Sequence, residues 1–169
     1  MTSIGQAVTA ATEYLTAHPA EAAYTDTLAT AIVEDGLRIR VTGPHGEKTI
    51  TDMSTSVGGG ATAPSPGWLL RAAEASCVAT LVAMRAAVLG HTLAQLEVTV
   101  DSESDDRGIL GIDPAVPAGP LSARVHVRMA AEGVDRAELE SIARWGIDHC
   151  PVCDALRRVV PVSLEVDIR

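Results

Sequence analysis

Phenylalanine is absent from this 169-residue chain, and Trp68, Trp145, Tyr14 and Tyr24 are its only aromatic residues. The core must therefore be aliphatic, built from Ala, Val, Leu and Ile. Lysine is nearly as scarce: Lys48 stands alone against twelve arginines, and the formal net charge is −9. So acidic a balance excludes a broad surface for nucleic acid or anionic membrane. No stretch runs about 18 residues without a charge or a turn signal, so no membrane span is expected. The opening residues, MTSIGQAVTAATEYL, lack a basic start and a continuous apolar middle. They do not have the pattern of a secretory signal, and a cytoplasmic protein is expected. Three cysteines in a reducing compartment do not make a structural disulfide framework. Core thiols, metal ligands or redox groups remain.

The length suits one domain with a sizeable core, and no internal repeat is evident. Residues 4–17 show helical spacing at Ile4, Ala7, Val8, Ala11 and Leu15, closed by His18-Pro19. We assign residues 1–22 to a helical extension and 23–169 to a single domain. From Tyr24 the texture alternates through TDTLATAIVEDG, LRIRVTG and EKTITDM, which predicts an antiparallel meander of two or three strands. Val57-Gly58-Gly59-Gly60 follows. It lacks the ending of a phosphate loop and the fingerprint of a dinucleotide site, so it reads as a hinge or close-packing loop.

Ser65-Pro66 opens the strongest helix, with Ser as N-cap and Pro at the first helical position, and Gly90 stops it. It is apolar nearly all round, as a helix buried in the middle of a fold is. Roughly 24 residues at about 1.5 Å each give it about 36 Å, enough to cross a small domain. LAQLEVTV (93–100) and LSARVHVRM (121–129) are predicted strands. The acidic, Gly/Pro-rich stretch between them reads as solvated hairpin ends. Asp135 and Glu138 resemble a capping box for a helix to about His149. Cys150-Pro151 begins another helix, Pro161 breaks it, and VSLEVDI closes the chain as a strand. Strands clustered in runs, not alternating with helices, indicate an α+β fold with largely antiparallel sheet.

Cys77 sits mid-helix, with Leu70, Ala73, Leu81 and Met84 on its face. Its bland reading is a small buried hydrophobe. Against that, Arg71, Glu74 and Arg85 bring charge into a helix otherwise apolar. Cys150-Pro-Val-Cys153 puts sulfur at a helix N-terminus, where free N–H groups and the helix dipole favour thiolate. A zinc site would need four ligands, and His149 adds only an obvious third. A thioredoxin-like site would need the pair near the start of a βαβ unit, whereas it follows a helix near the end. An N-cap cysteine with a buried neighbour stays open.

The segments SPGWLLRAAEASC, TLVAM and CPVCDAL together resemble the two signature regions of the OsmC/Ohr family of thiol-dependent peroxidases. The order of strands and helices agrees from about residue 24 to 169. The resemblance implies an OsmC-like fold: antiparallel sheets around a long buried central helix, in an intertwined homodimer with a site at each end of the subunit interface. It implies that Cys77 is peroxidatic and Cys150 resolving, the substrate a small-molecule peroxide, and the reductant a dithiol, of lipoyl type in the family. No metal, flavin or haem cofactor is implied. This chain departs from the hydroperoxide reductases in opening its helix with Ser65-Pro66-Gly67 in place of Asn-Pro-Glu. The family's early Arg has no match either, since Arg38 and Arg40 lie in an expected strand. It is therefore similar to a divergent OsmC-like branch. Two alternatives go with that departure: a non-enzymatic dimer binding a small ligand, and a disulfide reductase using Cys150 and Cys153.

Overall fold

The computed structural model describes residues 3–168. The first two residues of the expected extension, and the chain's last, lie outside them. The architecture is α+β, with two antiparallel sheets and a long helix through the middle. Helix α1 spans Ile4–Ala17, opened by a full capping box between Ser3 and Gln6. It lies along the end of the long helix so closely that a Cβ on Gly5 would meet the Ala87 carbonyl oxygen at 2.4 Å.

The meander forms as three strands, β1 (Thr30–Asp35), β2 (Arg38–Thr42) and β3 (Lys48–Thr51). The glycine run after it is a close-packing loop. Asp52, 3% exposed, accepts hydrogen bonds from the N–H groups of Met53, Gly60 and Thr62 and from the Thr62 hydroxyl. The Thr62 N–H and hydroxyl outweigh the effect of burial and, with the other donors, hold the carboxyl at about 2.

Helix α2 spans Pro66–Val88, with Ser65 accepting from the Trp68 N–H as its N-cap. By length and composition it could cross a membrane; instead it packs against α1 and against a strand and two helices that follow it in the chain. Only one stripe of it is buried by its own chain, Glu74, Val78, Val82 and Ala86, at i, i+4 spacing. The expectation of a helix buried all round is corrected to that extent. The seam also lies beside the expected Cys77 face: Ala73 is exposed, and Leu70, Leu81 and Met84 are half-buried.

Strands β4 (Leu93–Glu103) and β5 (Ser122–Ala131) pair over their whole length and pack Leu93, Leu96, Val98, Val125, Val127 and Met129 onto the seam. A register shift between Leu93 and Gln95 lets Leu93 and Leu96 share one face. The acidic excursion carries one short helix, α3 (Asp106–Ile109), capped by Asp105. Helix α4 (Arg136–Asp148) forms only half of the expected capping box. Asp135 accepts from the Glu138 N–H, but the Glu138 carboxylate meets His91 at 2.8 Å. Helix α5 covers Pro151–Arg157.

Gly146 of α4 marks a close helix contact in the core, since a Cβ there would sit 2.6 Å from Val82 Cγ2 and 3.1 Å from the Val82 nitrogen. Gly146→Ala is therefore expected to lower stability by about 1–2 kcal/mol, overpacking exceeding the helix-propensity gain of about 1 kcal/mol. Gly67→Ala, whose nearest contact would be 3.9 Å away, serves as the control. Urea melts at one protein concentration measure both; a Gly146→Ala protein as stable as the parent would contradict the close approach.

No strand forms over residues 162–168, contrary to expectation. Val162, Leu164, Val166 and Ile168 are 91%, 86%, 67% and 87% exposed. The alternating pattern is that of a strand, but no sheet edge of its own chain takes it up. The meander is similarly uncovered: β1 is exposed throughout, and its sheet makes no extensive contact with any helix or with the second sheet among the described residues.

Candidate active site

Helices α2 and α5 meet at three sulfurs. Cys77 is half-buried near the middle of α2, at the flank of the buried seam. Cys150 is wholly enclosed at the N-cap of α5, and Cys153 is buried one turn further on. Pro151 has no N–H and suits the first helical position, so α5 starts immediately after Cys150. The next N–H groups, at Val152 and Cys153, have no partner within the helix and turn to sulfur instead. The Cys153 N–H donates to Cys150 Sγ over 3.3 Å, and the Val152 N–H bears on both Cys77 and Cys150. The thiols of Cys77 and Cys150 shift one another's titration, as do those of Cys150 and Cys153, and Cys77 packs against the core cluster that holds the other two. Cys150 is the middle sulfur of the three.

That position decides where negative charge goes. Burial, then the Cys150 thiol, pushes Cys77 above its ordinary value, against the Val152 N–H. Burial also acts to raise Cys150. The Cys153 N–H, the Cys77 and Cys153 thiols and the Val152 N–H together outweigh it, and the Cys150 thiol falls below the ordinary value. Cys153 is pushed up to about 12 by burial first, then by the Cys150 thiol and the Glu74 carboxylate. The cluster's first thiolate therefore belongs to Cys150.

The three charged residues singled out on α2 have different destinations. Glu74, 5% exposed, accepts a hydrogen bond from Cys153 Sγ at 3.5 Å. Arg71 donates to Ser102 over 3.2 Å, and the Arg85 guanidinium lies 5.3 Å from the Trp145 ring centre. Arg38 donates to Thr62 and Arg40 to Glu34, each at the meander and its loop. His149 stacks on Trp145 and holds its ring nitrogen 2.8 Å from the Trp145 carbonyl oxygen. Among the described residues no three of His, Cys, Asp and Glu converge as a metal set. The residue that sequence reasoning undervalued is Glu74. A carboxylate in an apolar helix was the signal, but its partner lies in another helix.

Two clefts open beside this cluster, of about 480 and 390 Å³. Leu70, Arg71 and Glu74 line the first; Glu74, Cys153, Ile147 and Arg157 line the second; Leu156 lines both.

Fold and site together define an α+β protein with free cysteines brought together between a central helix and the cap of a later one. The family model described as OsmC-like protein matches residues 58–165, which include both signature segments, and the chain belongs to that family. No curated protein sequence matches it. Among solved structures it is similar to the organic hydroperoxide resistance protein OsmC of Legionella pneumophila, at 23% identity and a TM-score of 0.59, over 80% of this chain and 91% of that one. An OsmC-like protein of Mycoplasma pneumoniae gives 14%, 0.67, 81% and 91%. The organic hydroperoxide resistance protein OhrB of Bacillus subtilis gives 20%, 0.53, 86% and 100%. At such identities these likenesses establish the fold.

Proposed function

We propose that this protein is a cysteine-based peroxidase reducing organic hydroperoxides or hydrogen peroxide, with Cys77 and Cys150 as its redox pair. The observation that carries this reading is that Cys77 packs against the core cluster holding Cys150, a residue so distant in sequence. The Legionella and Bacillus relatives are described as organic hydroperoxide resistance proteins, which supports the same substrate class.

The half-buried Cys77 is the more accessible of the pair, and Cys150 is the one that ionises first, so its thiolate is the base at hand. Cys77 passes its proton to the Cys150 thiolate and attacks the terminal peroxide oxygen. The O–O bond breaks, and the departing alkoxide takes the proton back from Cys150. Cys77 is then a sulfenic acid. The Cys150 thiolate attacks that sulfur, hydroxide leaves, and the 77–150 disulfide forms. A dithiol of lipoyl type supplies two electrons and two protons to reset the pair. These steps call on no metal, flavin or haem. The working unit is an intertwined homodimer of the 23–169 domain, with residues 1–22 as a helical extension. What supports the dimer is the bare meander and the apolar C-terminal segment.

With a dihydrolipoyl dithiol, the purified protein is expected to consume tert-butyl hydroperoxide. The rate should rise with pH and level off below the ordinary thiol value of 9.0, because the pair loses its first proton early. Stopped kinetics across that range measure it. A rate that keeps climbing beyond it, or no consumption at all, contradicts the reading.

A further inference from the structure

We infer that Cys153 and Glu74 form an internal relay that transfers the disulfide from 77–150 to 150–153 and thereby frees Cys77 before any reductant arrives. The inference rests on the reading of Cys77 and Cys150 as the peroxide-reducing pair, and it assigns work to two residues that reading leaves idle.

Three observations carry it. Cys150 and Cys153 share one core cluster and Cys77 packs against it, so a disulfide at Cys150 is open to attack by the cysteine it is not bonded to. Cys153 lies one helical turn from Cys150, with its N–H 3.3 Å from that sulfur, a spacing that a C-x-x-C disulfide spans. And Cys153 donates its S–H proton to Glu74, a buried carboxylate on α2, over 3.5 Å. A thiol held so firmly protonated needs a base at the moment it attacks, and Glu74 is in contact with the proton to be removed.

In the relay, the Cys153 proton passes to the Glu74 carboxylate while the sulfur electron pair bonds to Cys150 Sγ. The bond between Cys150 and Cys77 breaks, and Cys77 leaves as a thiolate. The exchange is redox-neutral and needs no outside reagent. Oxidation then resides at Cys153, in the floor of the 390 Å³ cleft that Arg157 also lines. An incoming dithiol would meet the disulfide there, with a cation beside it to attract its thiolate. Peroxide and reductant would thus work at different sulfurs.

The test is a time course of wild-type protein with one equivalent of tert-butyl hydroperoxide and no reductant, quenched with acid and mapped for disulfides. The 77–150 linkage is expected first, then its replacement by 150–153. With excess peroxide, the freed Cys77 should let each subunit consume two equivalents, against one for Cys153→Ser. Glu74→Gln, nearly isosteric, should slow the conversion roughly 100-fold while leaving the first linkage unchanged in rate. A 77–150 disulfide that persists in the wild type overturns the relay alone. A 150–153 disulfide that forms equally fast in Cys77→Ser overturns both the relay and the peroxidase reading.

Discussion

Cys77→Ser is expected to lower peroxide consumption about a thousandfold or more, because it removes the atom to which oxygen is transferred. Cys150→Ser should behave differently. Serine is a good N-cap, so α5 keeps its start and the fold is retained. The sulfenic acid on Cys77 then lacks its resolving partner. It should accumulate as a mass gain of about 16 Da and advance to sulfinic acid at about 32 Da under excess peroxide. The same variant also loses the base that takes the Cys77 proton, so even the first oxidation slows. Cys153→Ser leaves the 77–150 pair intact, and its disulfide should form as before. Intact-mass spectrometry of the three variants separates these outcomes. If Cys77→Ser is harmless and peroxide joins Cys150 to Cys153, the protein is a C-x-x-C reductase, and Cys77 is a packing residue.

Solution scattering is expected to find a dimer with no measurable folded monomer at micromolar concentration. A compact monomer of 17.5 kDa exposes about 7,900 Å², whereas this chain exposes 12268 Å². The excess is roughly 4,400 Å², and β1 and the C-terminal segment contribute to it. Ile32 and Val33 of β1 are 49% and 64% exposed, and the even-numbered apolar residues from Val162 to Ile168 point a continuous stripe at solvent. An isolated three-stranded sheet without a covered face is marginal in water. A second copy of the chain would supply both a sheet edge and a cover, making folding and association one event. Light scattering that gives the mass of one chain, with a cooperative melt independent of concentration, would contradict this.

Much of the frame was legible in the sequence because it is locally encoded. Ser65-Pro66 and Gly90 bound α2 to within two residues, and Cys150-Pro151 announced the cap of α5. Binary alternation located all five strands, and the paired signature segments pointed to the family. What stayed hidden depends on contacts between elements. The offset in β4 that lets Leu93 and Leu96 share a face leaves no mark in alternation alone. Glu138 fits a capping box until His91 competes for its carboxylate. The segment from Val162 has the pattern of a strand, but pattern cannot say which chain provides its edge. At the site, the types and approximate positions of the cysteines were readable. That Cys150 is the middle sulfur, and that Glu74 reaches Cys153, follow only from the crossing of α2 and α5.

Cys77 and Cys150 are proposed to be a redox pair driven by peroxide. The most direct test is fully reduced wild-type protein, mixed with one equivalent of tert-butyl hydroperoxide and alkylated at the earliest accessible time, then digested and mapped. The expected result is a loss of about 2 Da relative to the reduced chain, a cross-linked peptide joining Cys77 to Cys150, and Cys153 recovered alkylated. Recovery of Cys77 and Cys150 both alkylated, with the peroxide unconsumed, would contradict it.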